Sequence, residues 1–180
     1  MTGHTNQGRF PRDGRRAAKF ILTEAVLFLA VITLQSSVFA RLTIFGGVPD
    51  LCYLTLLLIA YFCGKETGAV TGIAAGFAVE ALCSQGISLL PIVYLFCGYL
   101  CGYFTRAITQ KQLVPFFTVA AVALPVRLAV TLLYICLTYD QIHLLNLLLK
   151  TLLPQFFATA VFVPILFFPV RWVCGWMKKA

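Results

Sequence analysis

Charge is the scarcest commodity in this chain. Only 11% of its 180 residues are charged, where a soluble domain carries about a quarter. A water-facing surface cannot be built from so few, and mean hydropathy is high at +0.92. The composition therefore excludes a soluble globule, a disordered chain and a collagen-like repeat. Histidine is almost missing: His4 and His143 are the whole supply. With no Cys-x-x-Cys pair either, a zinc site has no ligand set, and no cofactor is expected. His-Glu-x-x-His, Gly-x-Ser-x-Gly and the phosphate-binding P-loop are absent too. Within the apolar stretches no nucleophile stands beside a base, so the sequence offers no hydrolase centre and reads as non-enzymatic.

Cysteine is not scarce. Cys52, Cys63, Cys83, Cys97, Cys101, Cys136 and Cys174 all fall in or beside apolar runs. In such settings a thiol acts as a small apolar filler.

What charge there is lies unevenly, with 14 Lys+Arg against 6 Asp+Glu. Residues 1–19 form a polar arm with Arg9, Arg12, Arg15, Arg16 and Lys19 against Asp13 alone. Such an arm suits the anionic cytoplasmic face of a membrane, at about 1 kcal/mol of attraction per cation. The arm has no aromatic platform and abuts an apolar anchor, which argues against nucleic acid.

Residues 20–180 hold six apolar segments, near 20–40, 48–63, 67–83, 88–105, 113–139 and 147–172. A spanning helix needs about 20 residues. Read as one helix, residues 48–83 would extend ~54 Å, too long for a bilayer of ~30 Å, so a hairpin turning at Lys65-Glu66 is expected. The first segment exceeds the 7–15 apolar residues usual in a cleavable signal and more spans follow, so an uncleaved helix is expected. Six spans put the five arm cations, Lys65, Arg106, Lys111, Arg171, Lys178 and Lys179 on one side, against Arg41 and Lys150 on the other. The positive-inside rule then assigns both termini to the cytoplasm. The expected fold is an all-α integral membrane bundle of six transmembrane helices.

Gly64, Gly68, Gly72 and Gly76 recur every four residues, with Gly98 and Gly102 as a second pair. Small-x-x-x-small rows let membrane helices approach closely. They form a packing face within the chain or a partner-binding face. Glu80 continues the first row. An ionisable residue at membrane depth seeks a partner. Glu80 is 13 residues past Thr67 and Arg127 is 14 past Leu113, so each stands ~20 Å along its helix. An ion pair between Glu80 and Arg127 is expected, structural or part of a solute or proton site. Glu24, near the cytoplasmic end of its helix and within reach of Arg171 or the arm, is expected to snorkel. Pro49 and Asp50 suit the start of the second helix, since proline fits a first turn and an acid favours the positive helix end. Pro115, Pro125, Pro154, Pro164 and Pro169 imply kinks, and Gln155 beside Pro154 suits a freed carbonyl or a pocket.

With these residues in order, the chain resembles the bacterial rod shape-determining MreD family over most of its length beyond the arm. The resemblance runs through Leu34-Gln35-Ser36-Ser37-Val38-Phe39, Pro49-Asp50-Leu51, the glycine row Gly64, Gly68, Gly72 and Gly76, then Gly86, Tyr94, Gly98, Tyr99 and Gly102. It ends with Pro154 and Thr159. The family often has aspartate where this chain has Glu80. The resemblance implies a non-enzymatic scaffold in the inner (plasma) membrane that serves cell elongation and lateral peptidoglycan synthesis. The implied partner is an MreC-like bitopic protein, and through it the MreB cytoskeleton, the RodA glycosyltransferase and its transpeptidase. The small-residue faces and the outer loop at Pro49 and Asp50 are the candidate contacts. Such proteins also look like the substrate-binding S subunits of energy-coupling-factor vitamin transporters, which supplies the alternative of a solute-binding subunit.

Overall fold

The computed structural model describes residues 14–39, 49–83, 90–105, 112–138 and 153–179. Among the described residues there are six α-helices and no strand. They are α1 (Gly14–Leu34), α2 (Leu51–Cys63), α3 (Lys65–Cys83), α4 (Leu90–Phe104), α5 (Leu113–Thr138) and α6 (Leu153–Lys179). A π-helical turn, Gln35–Phe39, prolongs α1. Two of the helices are long and apolar enough to cross a membrane, over Leu113–Leu133 in α5 and Pro154–Gly175 in α6. α1 starts at Gly14, before the apolar stretch begins at Phe20. Arg41, Arg106, Lys111, Asp140, His143 and Lys150 fall outside the described residues.

The bundle is organised around α2. This helix is only 13 residues long, ~20 Å, and every one of its residues is buried. Its sequence is apolar on all sides, as a helix enclosed by others must be. Each of the other five helices packs against it. Its Thr55 hydroxyl donates to the Leu51 carbonyl at 2.8 Å, so that polar group is not stranded among aliphatic neighbours.

The α2–α3 turn falls at Gly64, one residue before the expected position. Gly64 has φ 100°, a left-handed conformation that an L side chain would strain. Its N–H donates to the Ala60 carbonyl at 2.9 Å and its own carbonyl accepts from Gly68 N–H at 2.9 Å. One residue thus ends one helix and starts the next.

The outer helices are apolar on both sides. In α5, Phe116, Ala120, Leu124 and Arg127 recur at helical spacing and are buried, whereas Val114, Phe117, Val122, Val126 and Leu133 are exposed. In α6, Val163, Phe167, Val170 and Cys174 face in, while Phe157, Val161, Ile165, Phe168 and Trp172 face out, with Trp172 at 76% exposure. Large apolar residues on the outside of a helical bundle match a hydrocarbon solvent, not water. Pro125, Pro164 and Pro169 all lie inside continuous helices.

Candidate functional site

The first turn of α2 gathers one cluster of the buried polar groups, with Asp50, Arg127 and Thr159 at its centre. Asp50 caps the helix, its Oδ1 accepting from Tyr53 N–H at 3.0 Å. A buried helix start leaves further N–H groups to satisfy. Neighbouring segments supply the acceptors. Gln35 Oε1, from the π-helical turn, accepts from Cys52 N–H at 3.1 Å. Thr159 Oγ1, from α6, accepts from Asp50 N–H at 3.1 Å and donates to the Gln155 carbonyl at 2.8 Å.

Asp50 also carries the charge partner of Arg127: Nη1 of Arg127 meets Asp50 Oδ2 in a direct ion pair. Both residues are buried, Arg127 at 8% exposure and Asp50 at 4%. The guanidinium carbon lies 4.9 Å from the centre of the Tyr53 ring and 5.4 Å from that of Tyr94. The two rings meet edge to face, with centroids 5.4 Å apart. Tyr53 turns its hydroxyl to the Ala123 carbonyl of α5 at 2.9 Å. The charge of Arg127 is therefore matched by one carboxylate and two aromatic faces, the combination a buried cation requires. Five segments of the chain, the π-helical turn, α2, α4, α5 and α6, meet at this point.

The glycine rows sit beside it. A methyl group at Gly68 would lie 2.6 Å from the Gly98 carbonyl oxygen, at Gly72 2.4 Å from that of Tyr94, and at Gly76 2.4 Å from Cα of Pro91. In return, a methyl group at Gly98 would fall 2.2 Å from the Gly68 oxygen, and at Gly102 2.5 Å from Cα of Lys65. Backbone therefore touches backbone along the whole α3–α4 seam. Gly68, Gly72, Gly76, Gly98 and Gly102 form a packing face within the chain. Because Gly72 rests on Tyr94, the seam also sets the height at which the Tyr94 ring meets Arg127.

Three expectations from sequence are corrected here. Arg127 pairs with Asp50, and no ion pair or hydrogen bond joins it to Glu80, which is half-buried on α3. The length arithmetic was sound but incomplete. Counted from Gly64, Asp50 also stands ~20 Å along the bundle, level with Arg127, and it faces inward. Pro49 and Asp50 are buried, so they are no exposed contact loop. Glu24 does not snorkel to the surface: it is buried, and it accepts from the Thr71 hydroxyl of α3, which also contacts the Thr67 carbonyl at 2.7 Å. Tyr53 and Tyr94 went unmarked as arginine partners, and a signal existed. Asp50 and Tyr53 are three residues apart, hence on one face of α2.

Between α5 and α6 the site opens as a small cleft lined by Asp50, Leu124, Arg127, Leu128, Gln155, Phe156 and Thr159. The space it offers is no more than about one water, far below a typical small-molecule pocket.

Compared with protein-family models, with curated proteins and with solved structures, the chain finds no match.

Proposed function

We propose that this chain is a multi-pass inner-membrane scaffold of the cell-elongation machinery, acting by gripping other membrane proteins in lateral peptidoglycan synthesis. In this reading the six helices all traverse the bilayer, with both termini cytoplasmic, as the eleven-to-two distribution of flanking cations favours. The partner is an MreC-like bitopic protein. Through it the scaffold engages the MreB cytoskeleton, RodA and the elongation transpeptidase, within surrounding lipid.

One observation carries the reading. Among the described residues α2 is wholly enclosed and the glycine rows of α3 and α4 close on each other, while large apolar and aromatic side chains cover the outside. Work by such a molecule happens on its outer faces. The residues of the MreD resemblance add support: Gln35, Asp50, Tyr94 and Thr159 meet at one centre, and Gly72 seats Tyr94. They build the bundle that presents those faces. With the small-residue rows and the Pro49-Asp50 turn used internally, a partner's span must lie against exposed faces such as those of α1, α4 or α6.

Affinity capture in mild detergent followed by mass spectrometry tests the proposal. An MreC-like protein should co-purify, and depletion should round the cells. Capture of a vitamin-transport ATPase together with a tightly held small solute would instead support the solute-binding subunit. Reporter fusions that put the tail outside the cytoplasm would overturn the topology.

A further inference from the structure

The α3–α4 seam ends on a lysine. A methyl group at Gly102 would lie 2.5 Å from Cα of Lys65, so the first residue of α3 is pressed against the last turn of α4. Its ammonium is thereby set over α4, 5.7 Å from the centre of the Tyr99 ring and 6.0 Å from that of Tyr103, at the reach of a cation–π contact. The two rings are stacked, with centroids 6.3 Å apart. Tyr99 is 38% exposed and Tyr103 53%, so the cation stands on an outer face. Because Gly102 covers its backbone, the exposed part of this half-buried residue is its side chain.

An ammonium has three donors, and ring faces offer it no lone pair. Among the described residues no carboxylate pairs with Lys65, the adjacent and exposed Glu66 included. Beyond the cation, the same side of α4 is apolar. Ile92, Phe96, Tyr99 and Tyr103 follow at the spacing of one helix face, and all are exposed. From Ile92 to Tyr103 the stripe runs ~17 Å, close to one leaflet, half of the ~30 Å hydrocarbon core. A cation at one end of an apolar stripe one leaflet long has the outline of a phospholipid. The positive-inside assignment turns Lys65 to the cytoplasmic leaflet, whose surface is anionic.

We infer that the outer face of α4, headed by Lys65, binds one anionic phospholipid of the cytoplasmic leaflet, its phosphate on the ammonium and a chain along Tyr103, Tyr99, Phe96 and Ile92. The choice of leaflet rests on the topology proposed above, whereas the site itself needs neither that topology nor a protein partner. A lipid held there leaves α1 and α6 as the faces open to a partner.

Native mass spectrometry of the whole chain tests this. Released from micelles carrying equal amounts of phosphatidylglycerol and phosphatidylcholine with the same acyl chains, the protein should retain phosphatidylglycerol in preference. Lys65→Gln should cut that preference about fivefold, the factor one cation contributes near anionic lipid. Lys65→Arg should keep it, and Glu66→Gln, which removes a like charge beside the phosphate, should raise it. The arm cations are common to all of these proteins, so the differences read Lys65. Equal retention of both lipids by the wild type would overturn the site and leave this face to an acidic segment of a protein. An unchanged preference in Lys65→Gln would overturn it too, since the arm would then be the source. Micelles have no sides, so a failure of the topology and a failure of the site show separately.

Discussion

Two regions hold the bundle together by opposite means. Along the α3–α4 seam side chains are removed so that backbones can touch, with Gly68 against Gly98 and Gly72 against Tyr94. At the start of α2 side chains are added until every charge and most donors have a mate, through Asp50, Arg127, Tyr53, Tyr94, Gln35 and Thr159. The first is steric and pairwise, the second chemical and shared among five segments. Apolar surface offers little helix–helix attraction in lipid, so close backbone contact and buried polar bonds are the two devices left. This chain uses both and joins them at Tyr94.

Changes to the polar centre should have the largest effect. Arg127→Ala strands Asp50 without its counter-charge, and unfolding in mixed detergent micelles should show a loss of about 3–5 kcal/mol. Asp50→Ala should be comparably harmful. The double variant should be far milder than the summed singles, giving a strong favourable coupling. Additive losses would mean that the pair does not act as a unit.

The seam comes next. Gly98→Ala forces a methyl group onto the Gly68 carbonyl and should cost about 1–3 kcal/mol, as overpacking does. Gly175→Ala, on α6 with nothing within 4 Å of its added methyl group, should instead be neutral or stabilise by up to about 1 kcal/mol through helix propensity. Equal losses at both would show that propensity, not close approach, governs the seam.

Thr159→Val keeps the shape but leaves Asp50 N–H without its acceptor. A loss of about 1–3 kcal/mol is expected in the same assay, at the lower end if water reaches the amide. The smallest effect belongs to Glu80. A double-mutant cycle between Glu80→Gln and Arg127→Lys should give a coupling below about 0.5 kcal/mol. A larger value would restore the ion pair that the structure gives to Asp50.

Much of the fold was legible in the residues. Hydropathy marked all six helices, and the four-residue glycine spacing marked where two of them touch. Helix starts were readable too: Pro49 and Asp50 announced α2, which begins at Leu51. Pairing across the bundle was harder to read. Depth follows from counting residues, so Glu80 and Arg127 looked matched; facing direction depends on how each helix is rotated, which a single sequence leaves open. The overlooked clue was Asp50, which lies 14 residues before Gly64 and so stands at the same ~20 Å as Glu80 and competes for the same partner.

The sequence alone determined the solvent and the elements of this protein. A chain so poor in charge has to satisfy its backbone internally, and helices do so with neighbours four residues away. Those are local properties, written in order along the chain. Only the tertiary structure decided which acid answers Arg127 and that the glycine rows of α3 and α4 close on each other. Each depends on how helices turn and lean together in three dimensions, where residues far apart in sequence, such as Asp50 and Thr159, become nearest neighbours.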